Sequence, residues 1–315
     1  MYTQESVSIF YSNFAPHKRK NAGMSMHPTL PYTLNLGGRL TTLHHPLVMG
    51  ILNVTTESFY EASRTLSIEE AIPRVHKMIG EGVDIIDVGG CSTQPGLLPV
   101  SEKEEMKRLA MVLTAIRDTL PEVILSVDTF RASVAERCVK DFGVQIINDV
   151  SSGKADARMF STVADLQVPY VLTCNKGSWT ELAYDLAEHI GQLHLIGVND
   201  VIVDPGFGFG KTIDDNYRLM AHLEELHLLE CPLLVGVSRK SMIYKHLDIS
   251  PTEALNGTTA LHTVALMKGA HILRVHDVKA AREAILITEK LKAMSEFSES
   301  SEKSTHNSQL IIHNS

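Results

Sequence analysis

The sequence lacks most of the features that would take it out of the ordinary class of globular enzymes. Its four cysteines, Cys91, Cys138, Cys174 and Cys231, are far apart and form no CxxC pair. That excludes a zinc site built on paired thiolates and a disulfide framework, and it suits reduced thiols in a cytoplasmic protein. No apolar run approaches the ~20 residues of a membrane-spanning helix. The N-terminal stretch has no apolar signal-peptide core, and its basic run His17-Lys18-Arg19-Lys20 reads as a solvated tail. A net basic charge is missing too. At -8 the chain is a poor general nucleic-acid binder, which would carry a basic face, although a local basic pocket for a small anion remains open. Finally, no glycine-rich phosphate turn follows the first apolar run, as an open dinucleotide-binding sheet would require.

What is present is a pattern that recurs eight times. Short runs rich in Val, Ile and Leu end in polar or glycine residues, and helical spacing follows each. The runs are Leu47 to Val54, Asp84 to Gly90, Ile124 to Thr129, Ile146 to Val150, Tyr170 to Cys174, Asp200 to Asp204, Leu233 to Ser238 and Ile272 to Asp277. Runs of this length read as strands buried on both faces. Between them, Ala71, Val75, Met78 and Ile79, and then Leu109, Val112, Leu113 and Ile116, carry helical periodicity. Strands alternating with helices imply a parallel sheet, and eight of them imply a closed α/β barrel, the (β/α)8 or TIM barrel, in a single domain. The 315 residues hold one such barrel of about 250 residues plus loose ends. The expected division is a weakly ordered segment over 1–33, the barrel over 34–294 and a disordered polar tail over 295–315. Leu34 to Leu40 reads as a hairpin turning at Gly37-Gly38.

Active sites of such barrels lie at the C-terminal ends of the strands. Those ends carry Asn53 and Thr55, Ser92 and Thr93, Asp128 and Thr129, Asn148 and Asp149, Asn175 and Lys176, Asp204, Ser238 with Arg239 and Lys240, and Arg274, His276 and Asp277. Any one of the small polar residues is equally well explained as a helix N-cap. The set is harder to dismiss, because a buried Asp or Asn on a core strand is costly unless satisfied. Arg274 and His276 alternate with apolar residues, so a period of two puts them on one side. They read as an anion site or, alternatively, as a structural ion pair with Asp277. Asp128, Asn148 and Asp204 suit a nitrogen-rich heterocycle with several N–H donors, whereas Arg274, His276 and Asn53 suit phosphate. A heterocycle carrying a diphosphate would use both halves. The stretch Asp204 to Thr212 ends like a phosphate-binding loop of the GxxxxGK[ST] type, but Pro205 occupies the position of its first glycine, so it reads as a flexible loop instead.

Met49-Gly-Ile-Leu-Asn-Val-Thr55, Ile85-Ile-Asp-Val-Gly-Gly90, Ser126-Val-Asp-Thr129, Ile147-Asn-Asp149, Asp204-Pro-Gly-Phe-Gly-Phe-Gly-Lys211, Gly236-Val-Ser-Arg-Lys-Ser241 and Arg274-Val-His-Asp-Val278 occur in this order. The series resembles the dihydropteroate synthases, a branch of the pterin-binding enzymes, over about residues 45 to 293. The resemblance implies a transferase of folate biosynthesis, condensing 6-hydroxymethyl-7,8-dihydropterin diphosphate with p-aminobenzoate. It implies that Asp128, Asn148, Asp204 and Lys240 hold the pterin, with Asp128 and Lys240 catalytic. It further implies that Asn53, Arg274 and His276 take the diphosphate, that Asn53 lies near Mg2+, and that Thr93, Ser238 and Phe209 line the p-aminobenzoate side. Substrates are then small molecules, with no nucleic acid or membrane as partner, and a homodimer is implied.

Three mouth loops depart from the family pattern. Thr56 and Glu57 stand where Pro and Asp are usual. Cys91-Ser-Thr-Gln-Pro-Gly96 replaces Glu-Ser-Thr-Arg-Pro-Gly, so Gln94 loses a cation whose charge-assisted contact is worth roughly 1.5–3 kcal/mol. Thr173-Cys-Asn-Lys-Gly177 replaces a Met-His-Met loop. These changes leave open a catalytically weak or non-catalytic pterin-binding paralogue. A methyl-tetrahydrofolate-binding module is a further alternative, but it needs no anion site.

Overall fold

The computed structural model describes residues 31–54, 68–91 and 98–312, with backbone alone beyond 295. Strands β3 (Leu47–Asn53), β4 (Ile85–Gly89), β5 (Ile124–Asp128), β6 (Ile146–Asp149), β7 (Tyr170–Thr173), β8 (Val201–Asp204), β9 (Leu234–Val235) and β10 (Ile272–Val275) are all parallel to their neighbours. Their order is β8-β7-β6-β5-β4-β3-β10-β9. A parallel bridge between Val203 and Leu233 joins the two ends of that order and closes the ring. The helices α1 (Ile68–Gly80), α2 (Glu102–Thr119), α3 (Ala132–Phe142), α4 (Met159–Leu166), α5 (Trp179–Leu195), α6 (Ile213–Ala221), α7 (Ser241–Tyr244), α8 (Leu255–Met267) and α9 (Val278–Ile312) follow the strands in turn. The fold is the (β/α)8 barrel that the alternation predicts.

Helical spacing places the outer core as expected. Ala71, Val75 and Met78 of α1 and Leu109, Val112, Leu113 and Ile116 of α2 are buried against the strands. Ile79 is 38% exposed, because at 100° per residue it falls on the edge of the α1 stripe. Ser101 opens α2 by accepting the Glu104 N–H at 3.2 Å. A reciprocal Thr212–Asp215 capping box opens α6, so the end of the apparent phosphate loop is a helix cap.

The Tyr170–Thr173 run is a regular and fully buried strand. The shortest is β9, because the chain leaves the sheet after Val235 and turns through Arg239 in the left-handed region, φ 54°. A disordered tail is expected over 295–315, whereas the backbone of α9 continues to Ile312, with no Pro or Gly interrupting the sequence from Lys279 to that point; residues 313–315 lie outside the described residues. At the other end, residues 1–30 lie outside the described residues.

That hairpin, β1 (Thr33–Leu36) and β2 (Arg39–Thr42), turns at Gly37 and Gly38 with φ of 64° and 87°, the conformation a two-residue I′ turn demands. Leu34, Leu36 and Leu43 pack on Met49, Ile85, Ile146, Val171, Ile202, Leu234 and Ile272. All seven lie in the first half of their strands, so the hairpin plugs the N-terminal mouth of the barrel with an apolar layer. Arg117 fastens the same end. Its Nε donates to Phe142 O at 2.9 Å, Nη1 to Pro121 O and Val123 O at 2.9 and 2.7 Å, and Nη2 to Gly143 O and Gln145 Oε1 at 2.7 and 2.9 Å. One guanidinium therefore ties α2, α3 and the entries to β5 and β6 together. Arg117→Met is expected to lower the unfolding free energy by roughly 2–4 kcal/mol, since it strips several part-buried acceptors at once. Urea denaturation measures it, and a loss below ~1 kcal/mol would remove Arg117 from this role.

Candidate active site

Strand side chains alternate between faces, and the apolar plug fixes the phase. Two residues beyond Ile85, Ile124, Ile146, Val171, Ile202, Leu234 and Ile272 come Asp87, Ser126, Asn148, Thr173, Asp204, Gly236 and Arg274. On six of the eight strands the inner face thus changes from apolar to polar within one step, while β3 continues with Ile51 and β9 with Gly236. Most of this second layer is buried: Asp87, Ser126 and Thr173 fully, Asn148 to 2% and Asp204 to 6% exposure. One step higher, Asn53, Asp128, Ser238 and His276 approach the mouth.

The centre of the layer is an ion triad. Arg274 Nε donates to Asp87 Oδ2 at 2.7 Å, and its Nη2 donates to Asp128 Oδ2 at 2.7 Å. Asn148 Nδ2 donates to the same Asp87 oxygen at 3.0 Å. Burial opposes the Arg274 charge, but Asp87 and Asp128 more than offset it and hold the guanidinium firmly protonated. Burial pushes the Asp128 carboxyl up to about 7, with Arg274 pulling the other way. Four oxygens of the pocket, Asp87 Oδ1, Asp128 Oδ1, Ser126 Oγ and Thr173 Oγ1, are buried without a hydrogen-bond partner. Such atoms are expensive in a native structure unless a ligand or water completes them.

Lys240 reaches the pocket from the turn after β9. Its ammonium donates to the Phe207 carbonyl and lies 4.7 Å from the centre of the Phe209 ring. Burial lowers it to about 8, with Asp204 opposing. Asp204 has its carboxyl raised by burial, with Lys240 opposing, and its Oδ1 accepts the Gly206 N–H at 2.8 Å. Gly206, at φ 71°, is required here, because a Cβ would sit 2.0 Å from Cys174 O. Lys211 Nζ clamps the loop by donating to Cys174 O, Gly206 O and Phe209 O at 2.9, 3.0 and 3.3 Å.

Ser238 Oγ accepts the His276 N–H and sits 3.2 Å from His276 Nδ1. Burial, then the charge of Arg274, holds the His276 imidazole down at about 3. His276 is therefore a neutral donor or acceptor rather than the second cation that the sequence suggests. The alternative pairing of Arg274 with Asp277 also fails. Asp277 takes Arg239 at 2.8 and 3.0 Å, and Arg239 further donates to Pro251 O and Thr252 O, bracing the turn that delivers Lys240.

The fold thus gathers Asn53, Asp128, Asn148, Asp204, Phe209, Ser238, Lys240, Arg274 and His276 at one mouth. Thr93, together with Thr55, Thr56, Glu57, Ser92 and Gln94, lies outside the described residues. Of the other strand-end residues, Asp149 and Thr129 point elsewhere because alternation turns the next residue outward. Asp149 accepts from Tyr170 Oη, Ser151 N and Gly153 N, and Thr129 Oγ1 donates to Glu105 at 2.7 Å. Asn175 bonds Val150 O, and Lys176 is exposed. Three inner-layer residues escaped the sequence reading, which stopped at the strand ends: Asp87, Ser126 and Thr173. Counting back in steps of two from Gly89, Asp128 and Asn175 would have found them.

A family model described as pterin binding enzyme matches residues 49–276. The dihydropteroate synthase of Escherichia coli is 40% identical over 267 residues, 80% of this chain and 94% of that protein. The dihydropteroate synthase of Bacillus subtilis is 42% identical over 241 residues, 74% of this chain and 84% of that protein. Among solved structures, the Yersinia pestis dihydropteroate synthase with a sulfonamide drug complex superposes with a TM-score of 0.78 at 37% identity, covering 84% of this chain and 100% of that one. The Coxiella burnetii dihydropteroate synthase in complex with pteroic acid gives 0.78 at 34% identity, covering 84% and 99%. By sequence, by fold and by the polar layer at the barrel mouth, the chain belongs to the pterin-binding enzyme family and, within it, to the dihydropteroate synthases.

Proposed function

We propose that the chain joins 6-hydroxymethyl-7,8-dihydropterin diphosphate to p-aminobenzoate, giving 7,8-dihydropteroate and diphosphate. The observation that carries this reading is the buried polar layer, with unpartnered carboxylate and hydroxyl oxygens around Asp128 and the cations Arg274 and Lys240 beside them. Such a layer takes a flat ring rich in N–H groups, and its cationic flank takes an anionic leaving group.

In the reaction, the C–O bond to diphosphate breaks and the p-aminobenzoate nitrogen bonds to the exocyclic methylene, releasing one proton. Positive charge builds on the pterin as the anion departs. Asp128 and Asp204 hold the ring N–H groups, and Asp128 stabilises that charge from a low-dielectric site, where a fixed carboxylate acts most strongly. The Asn148 amide oxygen accepts from the ring edge. Lys240 borders the pterin and p-aminobenzoate sides, and Phe209 and Ser238 line the latter, the side to which the family resemblance also assigns Thr93. Arg274, His276 and Asn53 receive the diphosphate, and its approach opposes the forces that keep His276 neutral.

Mg2+ fits as a metal that arrives with the diphosphate. Asn53 Oδ1 stands at the mouth, where a Cβ at Gly89 would come within 3.0 Å of it. Among the described residues no cluster of three His, Cys, Asp or Glu side chains is placed to hold an ion. Mg2+ commonly uses one or two protein oxygens with phosphates and water, so Asn53 is an adequate protein donor. When bound, the metal neutralises charge on the leaving oxygens.

Two copies of the chain are proposed to pair through α8 and α9. Val264 and Met267 on α8 and Leu286, Ile287, Leu291 and Met294 on α9 are 39–61% exposed, and clustered exposed apolar side chains mark interaction surfaces. No helix among the described residues is long and apolar enough to cross a membrane.

The Gln94 position favours a second reading, a pterin-binding paralogue without catalysis. Arg274 weighs against a methyl-tetrahydrofolate module, which needs no anion site. Purified protein with dihydropterin diphosphate, p-aminobenzoate and Mg2+ is expected to release diphosphate only when the amine is present, and Lys240→Ala to lower kcat by about 100-fold or more. Pterin binding without release would establish the paralogue instead. The pH profile of kcat/KM is expected to be a narrow bell. Activity rises as Asp128 ionises near 7 and falls as Lys240 loses its proton near 8, because this ratio reports groups of the free enzyme. A profile flat over about pH 6 to 9 would remove both assignments. Sedimentation velocity is expected to give a dimer that Ile287→Glu converts to monomer, and a monomeric parent protein would end the pairing proposal.

A further inference from the structure

Asp87 has no assigned task in the reaction above, yet it touches two residues that do. One oxygen, Oδ2, accepts both the Asn148 amide at 3.0 Å and the Arg274 Nε at 2.7 Å. The residue is fully buried and lies on the inner face of its strand, one step of two residues below Gly89.

Each contact has a chemical consequence. A side-chain amide offers a donor end and an acceptor end, and the surrounding bonds decide which way it faces. With Nδ2 spent on Asp87, Asn148 turns its oxygen away from that carboxylate, and acceptor oxygen is what a ring edge of N–H donors requires. In Arg274 the Nε is the nitrogen nearest the stem, and both Nη nitrogens lie beyond it. Here Nη2 sits on Asp128, the carboxylate that the pterin must also occupy. The Arg274 side chain is 18% exposed, and the apolar plug closes the opposite end of the barrel, so that exposure is at the mouth.

We propose that Asp87 is a positioning residue with two functions: it sets the Asn148 amide with its oxygen towards the pterin, and it is the pivot for Arg274. Pinned at Nε, the arginine stays in place while its terminal nitrogens pass from Asp128 to the diphosphate as the ring takes over Asp128. The free protein thereby keeps a buried guanidinium paired, and the bound protein loses only one of its two carboxylate bonds. A simple counter-ion to Arg274 would account for the first contact but not for the amide sharing the same oxygen. The proposal rests on the synthase reading.

The test is calorimetric binding of two probes, 6-hydroxymethylpterin diphosphate and the same pterin without diphosphate, with thermal melting of every variant. Asp87→Asn preserves shape and removes charge. It is expected to weaken the diphosphate probe about tenfold or more and the bare pterin only about threefold, since charge-assisted bonds are the stronger ones. In an Arg274→Ala background, the extra loss on the diphosphate probe is expected to vanish, because the two substitutions then act on one element. Equal affinities in Asp87→Asn and the parent protein, or losses that simply multiply in the double variant, overturn the pivot. Should the neutral variant fail to fold, Asp87→Glu keeps the charge and moves it by one methylene. It is expected to show a smaller preference of the same sign, and no preference overturns the proposal. Diphosphate release by the parent protein separates the two readings. If release is intact while Asp87→Asn is unaffected, only the pivot falls. If the parent binds neither probe, the synthase reading falls and takes the pivot with it.

Discussion

Arg274 lies inside a barrel, and a guanidinium taken out of water costs several kcal/mol unless it is paired and hydrogen-bonded. Asp87 and Asp128 supply the pairing from β4 and β5, across the interior from β10. Much of the site is arranged around that necessity. Asn148 leans on the same Asp87 oxygen, the His276 imidazole is kept neutral partly by the arginine's field, and the Asp128 carboxyl would stand higher still without it. The triad leaves Asp128 Oδ1 with no partner in the protein. A charge cluster that is only partly satisfied is a liability for stability and an asset for binding, since the ligand completes it.

The interior is divided along its length. The N-terminal half of each strand contributes to an apolar plug that the β1–β2 hairpin completes. This half resembles any packed core, and it provides the burial against which the polar half is held. The C-terminal half carries carboxylates, an amide and hydroxyls at the same inward positions. Moving from one to the other takes a single step of two residues, so the pocket floor rests directly on the plug. Rigid strands therefore present the ring-binding groups, which suits preorganised electrostatics. Backbone segments at the mouth are braced separately, by Lys211 through three carbonyls and by Arg239 through Asp277.

The family relation and the local chemistry agree on the strands and diverge in the loops. The residues proposed to carry the pterin half are those of the family motifs. Of the sequence changes, Thr56, Glu57 and Gln94 lie outside the described residues, Thr173 ends β7, and Cys174 to Gly177 fall on the connection that follows it. Loops tolerate change because few buried contacts depend on them. At Asp128, Asn148, Asp204 and Arg274 a change would leave a buried charge or amide without its partner.

The sequence alone determined the barrel and the set of polar residues at the strand ends. These are local quantities: apolar runs, helical spacing and short motifs are all written within a few residues of one another. Tertiary structure decided which of those residues work together. Arg274 meets Asp87 across 187 positions of chain, and no periodicity reports such a contact. The ring closes through one bridge, Val203 to Leu233. Only packing reveals that His276 is neutral, that Asp277 belongs to Arg239, and that Asp149 and Thr129 turn outward. The alternation of strand side chains was legible all along, but its phase was not. The buried plug of the N-terminal half fixed it, and that plug exists only once strands distant in sequence stand side by side.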